Sequence, residues 1–276
     1  MLSFIINEQK CTRCGLCAKD CPVKIIKLNG DLPTIDDDKQ ALCLKCQHCL
    51  AICPTAALSI FGINPDHCQT LQGHLPDPAQ LETLIRGRRS VRHYRDENVE
   101  TQTIQQLLNV AGQAATGVNS RQVLFTVVDN KETMARLRDK VMDGLDQLVK
   151  TDALPDNRKF FEKFVLLWQE KKIDTLFRGA PHLIIASAPR KCPTPKADSL
   201  IALTTFELYA QNVGIGTVWD GFAQWSINDL LPELKQELRI PENHVMGYAM
   251  AFGYPAVTYQ RTVEHGEANV SRVDWM

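Results

Sequence analysis

Cys11-Thr12-Arg13-Cys14-Gly15-Leu16-Cys17-Ala18-Lys19-Asp20-Cys21-Pro22 and Cys43-Leu44-Lys45-Cys46-Gln47-His48-Cys49-Leu50-Ala51-Ile52-Cys53-Pro54 are two runs with one spacing, C-x2-C-x2-C-x3-C-P. The first three thiols of each run sit on one tight loop and can ligate three irons of a cubane. The fourth, just ahead of proline, opens a helix aimed at the other loop. A zinc knuckle needs four ligands per site and has no use for this repeated pattern. Disulfides would suit a small secreted domain. The opening Met1-Leu2-Ser3-Phe4-Ile5-Ile6-Asn7 lacks the basic start, long apolar stretch and cleavage site of an export signal, and reads as a strand.

The spacing resembles that of bacterial two-cluster ferredoxins, in which the fourth cysteine of each run serves the other cluster. It implies two [4Fe-4S] clusters with crossed ligation. Cys11, Cys14, Cys17 and Cys53 would hold one, and Cys43, Cys46, Cys49 and Cys21 the other. The repeat extends past the cysteines, because Ile26, Leu28 and Gly30 match Leu58, Ile60 and Gly62. Each β-α-β half is too small to bury a core alone, so the metal does part of the holding.

A chain of 276 residues is too long for a ferredoxin and suits a small domain plus a larger one. The expected boundaries are a ferredoxin-like domain at 1–62, a linker at 63–78 rich in Asn, Pro, Asp and Gly, and a second domain at 79–276. With 44% hydrophobic residues and a net charge of −1, the composition gives no electrostatic case for nucleic acid or a membrane surface as partner. No apolar run approaches the ~18 residues that span a bilayer. Eight of ten cysteines fall in the two runs, and clusters last best in a reducing interior, so a cytoplasmic location is expected. Cys68 and Cys192 stand apart in polar, Pro-bearing loops and read as single cysteines, a redox role being the other reading.

Beyond the linker, Pro78 to Ile85 reads as a short amphipathic helix. Thr101 or Thr103 caps a helix with Ile104, Leu107, Leu108, Ala111 and Ala115 on one face, ended by Gly117. Val123–Val128 is a buried strand, and Met134 to Leu148 marks a helix at 3.6 spacing. Phe160, Phe164 and Trp168 fall at helical spacing, as core or as a substrate-lining segment. A strand at Leu183–Ser187 precedes a helix from Ala197 to Val213 that is apolar nearly all round, for a core or a subunit interface. A strand at Thr217–Trp219, a helix from Ser226 to Arg239, a strand at Val245–Phe252 and a polar arm of about 20 residues complete the chain. Strands and helices do not alternate regularly, so the fold class is α+β.

The knot Arg86-Gly87-Arg88-Arg89-Ser90-Val91-Arg92 packs four arginines into seven residues. They repel one another unless water or an anion lies between them, and a phosphate would be held by guanidinium forks and the Ser90 hydroxyl. From here on the chain resembles the nitroreductase-like FMN-dependent oxidoreductases. Their R-R-S-x-R entry with an aromatic two residues on is met by Arg88 to Tyr94. Their small residues before N-x-Q-P-W are met by Ala114 to Asn119-Ser120, with Arg121-Gln122 in place of the Gln-Pro part. Gly179-Ala180-Pro181, Gly214-Ile215-Gly216 ahead of Asp220-Gly221, and Gly253-Tyr254-Pro255 with Arg261 downstream complete five blocks in order, across roughly residues 80 to 262.

The resemblance implies that Arg88, Ser90, Arg92 and Arg261 hold the FMN phosphate and ribityl end, with Arg89 over the pyrimidine side of the ring. It implies that Asn119 bonds the ring or ribityl, and that backbone groups of Asp220 and Gly221 face the flavin N5. Gly214, Gly216 and Gly253 read either as close approach to a flat ring or as turns. The resemblance also implies a homodimer. The expected activity is an oxidoreductase passing electrons between two [4Fe-4S] clusters and FMN, with NAD(P)H or reduced ferredoxin as donor. A small nitroaromatic, quinone or similar acceptor would be reduced. The other reading is an electron-transfer module of a larger redox complex. No side chain stands out as a required catalytic acid or base. Residues 1–62 carry seven Lys and Arg against six Asp and Glu, less acidic than a diffusing ferredoxin, so this domain is expected to serve its own flavin.

Overall fold

The computed structural model describes residues 2–28 and 30–275. The chain divides into two compact units. One comprises the residues up to Pro76 with Val118–Ser120, the other Asp77–Gly117 with the residues from Arg121 on.

The first unit runs β1 (Phe4–Ile6), α1 (Leu16–Asp20), β2 (Ile26–Lys27), β3 (Thr34–Ile35), α2 (His48–Ala51) and β4 (Leu58–Ile60). β1 pairs antiparallel with β4, and β2 with β3. The internal repeat is written into the backbone. Matching residues share left-handed conformations: Arg13 and Lys45 (φ 55 and 55), Gly15 and Gln47 (74 and 61), Lys24 and Ala56 (53 and 51), Gly30 and Gly62 (81 and 76). A non-glycine residue there costs about 1–2 kcal/mol, so the shape of the loop, not local preference, dictates these turns. The interior is small: Cys17, Cys21 and Cys49 close against Ile25, Ile26, Leu50, Leu58 and Ile60.

The second unit runs α3 (Pro78–Gly87), α4 (Thr101–Ala111), β5 (Leu124–Val128), α5 (Lys131–Lys150), α6 (Phe161–Lys171), β6 (His182–Pro189), α7 (Pro195–Asn212), β7 (Gly216–Trp219), α8 (Gly221–Trp225), α9 (Leu234–Glu237) and β8 (His244–Gly253). Four strands form an antiparallel sheet in the order β5-β6-β8-β7. Every residue of β6 is buried, as befits a strand covered on both faces. Successive side chains point to opposite faces, and the interior divides accordingly. Leu183, Ile185, Ala249 and Ala251 meet α5 and α6 through Met134, Val141, Phe161 and Val165. Ile184, Ala186, Met250 and Phe252 meet α4 and α7 through Ile104, Leu107, Leu203 and Phe206. The second unit is α+β, as the irregular order of strands and helices predicts.

Helix starts follow local chemistry. Asp77 accepts from the Ala79 and Gln80 amides ahead of Pro78 at the first helical position of α3. Asn130 caps α5 through the Thr133 amide. Three expectations are corrected. Neither Thr101 nor Thr103 caps α4, whose cap is Glu100 without a side-chain bond, and the helix ends at Ala111 before Gly112, not at Gly117. The helix expected from Ser226 to Arg239 is a π turn (Ser226–Leu230) and the short α9. Pro232 separates them, with Leu231 ahead of it turned out of the helical region (φ −129, ψ 59). β5, expected to be a buried strand, is buried only at Val128 and exposed at Leu124, as an edge strand of the sheet. On α7, Ala202, Leu203, Phe206 and Ala210 are buried, while Leu200 and Ile201 are 40% and 45% exposed. The residues beyond β8 from Val257 on are exposed and form no further strand or helix among those described.

Candidate functional site

The first unit holds two cavities. One is lined by Cys11, Cys14, Cys17 and Cys53, the other by Cys21, Cys43, Cys46 and Cys49. Three cysteines of each set come from one loop and the fourth from the end of the opposite run; contrary to expectation this fourth cysteine opens no helix, since Cys21 closes α1 and Cys53 follows α2. The thiols ring a space instead of meeting at a point: among the described residues, no three His, Cys, Asp or Glu side chains are placed to hold a single metal ion. The surroundings of the thiols differ. The Leu16 amide and the Thr12 hydroxyl hold Cys14 below the usual thiol range. Burial raises Cys17 and pushes Cys49 up to about 11. The Ala57 amide donates to Cys53 Sγ at 3.2 Å.

In the second unit the basic knot leaves α3 as an extended arm beside the sheet edge. Ser90 forms a parallel bridge with Thr217, and the Val91 amide donates to Thr217 O at 2.8 Å. Tyr94 anchors the arm, its hydroxyl donating to Val91 O at 2.9 Å, and burial raises its acid range. Arg88 turns inward to Glu207 of α7 at 3.1 Å, a carboxylate that is almost wholly buried. Arg86 pairs with Glu82 and Glu264. The mutual repulsion expected of the four arginines is therefore relieved in part by three carboxylates. Arg92 donates to Ser90 O and Arg89 to Arg86 O, while Arg89 Nε is buried without a partner. Arg261 lies with Gly87, Val91, Gly214 and Tyr259 along an open groove of about 420 Å³.

Asp220 and Gly221 stand where β7 passes into α8. The Asp220 amide donates to Ala249 O at 3.0 Å, extending the sheet. Its Oδ1 accepts from the Ala223 amide at 2.9 Å and caps α8. Oδ2 is buried with no partner. Burial, with the nearby Asp174 charge, pushes this carboxyl up to about 7.

Arg88, Ser90, Arg92, Arg261, Asp220 and Gly221 all belong to the second unit. Asn119 is placed otherwise: Val118–Ser120 cluster with the first unit, where Asn119 Nδ2 donates to Leu44 O at 2.9 Å. Two of the expected glycines have packing reasons. A Cβ at Gly216 would lie 2.7 Å from Val91, and one at Gly253 2.6 Å from Pro181, while Gly214 is a left-handed turn at φ 79. Of the aromatic segment, Phe164 and Trp168 pack half-buried against the core while Phe160 is 40% exposed; the fully buried ring is Phe161, which stacks on Phe160 and meets Phe164 and Phe222 edge-on. Glu207 escaped the sequence reading because a single Glu on an apolar helix carries no local sign of its distant partner.

Residues 85–254 match the profile of the Nitroreductase family and residues 10–58 that of the 4Fe-4S dicluster domain. A ferredoxin-like protein in the nif region of Sinorhizobium fredii is 36% identical over 56 residues, 19% of this chain and 88% of that one. A nitroreductase crystal structure with bound FMN from Bacteroides fragilis superposes with a TM-score of 0.55 at 23% identity, covering 70% of this chain and 99% of that one. Another with bound FMN, from Desulfitobacterium hafniense, gives 0.55 at 22% identity, covering 71% and 100%. No described helix is long and apolar enough to cross a membrane.

Proposed function

The chain belongs to the nitroreductase family, and we propose that it is an iron–sulfur flavoprotein passing electrons between two [4Fe-4S] clusters and FMN to reduce a small organic acceptor. The observation that carries this reading is the pair of cavities, each lined by four cysteines in crossed sets. Their donor chemistry, four thiols around a space, fits a cubane. Clusters of this kind exchange single electrons and a flavin holds one or two, so the pair joins one-electron donors to two-electron chemistry.

In the second unit Arg88, Ser90, Arg92 and Arg261 would hold the FMN phosphate and ribityl end. The buried, partnerless Arg89 Nε is a donor suited to an acceptor on the ring. Because the Asp220 amide is taken by Ala249 O, the Gly221 amide is the better candidate to face N5. A homodimer would cover the exposed Leu200 and Ile201 of α7. NAD(P)H or a reduced ferredoxin would supply electrons, and the eight cysteines suit the reducing cytoplasm.

The test is anaerobic purification, measurement of iron, sulfide and FMN, and spectra during titration with NADH, NADPH and reduced ferredoxin, then with a nitroaromatic or quinone. We expect both cofactors, reduction by one of these donors and reoxidation by the acceptor. Protein without flavin would sink the assignment. A flavin that no small acceptor reoxidises, in a protein that copurifies with a stable partner, would point to an electron-transfer module.

A further inference from the structure

From the cysteine loops to the closing glycines the two halves share one spacing and four matched left-handed positions, so differences between their cavities stand out. Position for position, Thr12 corresponds to Leu44, Thr55 to Val23 and Ala57 to Ile25. Ligation is crossed, so the second run's Thr55 sits beside the fourth cysteine of the first cavity. Both hydroxyls therefore fall on the same cavity, the one lined by Cys11, Cys14, Cys17 and Cys53. The other receives Leu44, Val23 and Ile25 in their places.

Contacts to the thiols follow the same division. Thr12 and Leu16 line the cavity beside Cys14. Thr55 Oγ1 lies 3.8 Å from Cys53 Sγ, and once that sulfur is an iron-bound thiolate only the hydroxyl can donate. The Ala57 amide donates to Cys53 Sγ as well, at 3.2 Å. Cys14 is exposed, whereas its counterpart Cys46 is half-buried. The charged neighbours do not reverse the difference. Arg13 and Lys45 match each other, Lys10 is paired with Asp66 at 2.9 Å, and His48 beside the second cavity faces Asp20 at 3.3 Å.

Adding an electron makes a cluster more negative. Hydrogen bonds to its sulfurs and access to water favour that form, and apolar walls oppose it. We propose that Thr12 and Thr55 make the two cluster sites unequal, so that the site of Cys11, Cys14, Cys17 and Cys53 takes the first electron and that of Cys21, Cys43, Cys46 and Cys49 the second. This rests on the two-cluster reading above. The step is transfer of one electron from a low-potential one-electron donor, which is oxidised. No covalent bond forms or breaks and no proton is required. The unit then holds its first electron at a fixed end instead of sharing it between equivalent sites.

The experiment is a potentiometric titration of the intact, anaerobically isolated protein with dithionite, read by electron paramagnetic resonance beside an iron and sulfide count. The parent protein should carry about eight irons, as two cubanes require, and show two separate one-electron reductions. Thr12→Val with Thr55→Val lowers the first, by about tenfold in its equilibrium constant for each hydroxyl, about 59 mV for a one-electron couple, and leaves the second in place. The reciprocal Leu44→Thr with Val23→Thr raises the second, and it carries the test if the first pair of variants fails to assemble. A full iron count with coincident reductions overturns this proposal alone. So does a threonine variant that shifts neither reduction or only the second. An iron count near four overturns this proposal and the two-cluster reading together.

Discussion

The first unit closes over three cysteines and five aliphatic side chains, and its paired strands are two or three residues long. The second closes over both faces of a four-stranded sheet, with β6 buried from end to end and helices above and below. The first has too little apolar interior to offset the entropy of ordering its chain. Its left-handed non-glycine residues at Arg13, Lys24, Lys45, Gln47 and Ala56 add strain. On the two-cluster reading the metal would do this holding, among the eight thiols around the two cavities. The second unit has interior enough to fold by packing, so its cofactor residues are free to be polar, partly exposed and incompletely satisfied. In one half of the chain the functional residues are the core; in the other they lie on a core that stands without them.

Iron removal should separate the two most sharply. Anaerobic chelation is expected to abolish hydrogen-exchange protection throughout β1, β4 and the cysteine loops, the whole folding free energy of the first unit. β6 and β8 should exchange as slowly as before. A first unit that stays protected without iron would break the comparison. The next effect lies on the other side. Phe206 is fully buried between α7 and the sheet, and Phe206→Ala should cost about 3–5 kcal/mol. Denaturant melting of the second unit should show that loss while the iron content stays unchanged; a loss of iron would mean the two units are not independently held.

The same contrast explains what the sequence made legible. A cysteine run is a set of distances along the chain, so Cys11 to Cys21 and Cys43 to Cys53 marked both sites, and the resemblance to two-cluster ferredoxins implied their crossed membership. Buried strands such as β6 and β8 were equally plain as apolar runs. What escaped depended on segments far apart in sequence. Glu207 meets Arg88, and Gly253 makes room for Pro181, pairs that only the folded sheet brings together. The helix expected through Ser226 to Arg239 kept its periodicity on paper, but Pro232 broke it. Asp220 was picked out for its place in a block of residues, and its most informative property, a buried carboxyl with one oxygen unsatisfied, belongs to the packing around it.

That carboxyl gives the smallest of these effects and probes how far the second unit tolerates polar strain. Asp220 Oδ1 caps α8 and Oδ2 has no partner, and burial lifts the acid from 3.8 to about 7. The unfolded chain releases this proton at about 3.9. The folded chain keeps it until about 7, so between these values folding takes up a proton. The stability tied to the neutral acid is complete below about pH 4 and is lost as pH rises through about 7. Asp220→Asn keeps an oxygen for the Ala223 amide and carries no charge at any pH. The variant should therefore match the parent near pH 4 and exceed it at pH 8, by at most roughly 4 kcal/mol. Melting temperatures of both proteins from pH 4 to 8 decide the matter. If the gap stays constant with pH, Asp220 is already ionised and satisfied in the folded protein, and the second unit holds less polar strain than its packing implies.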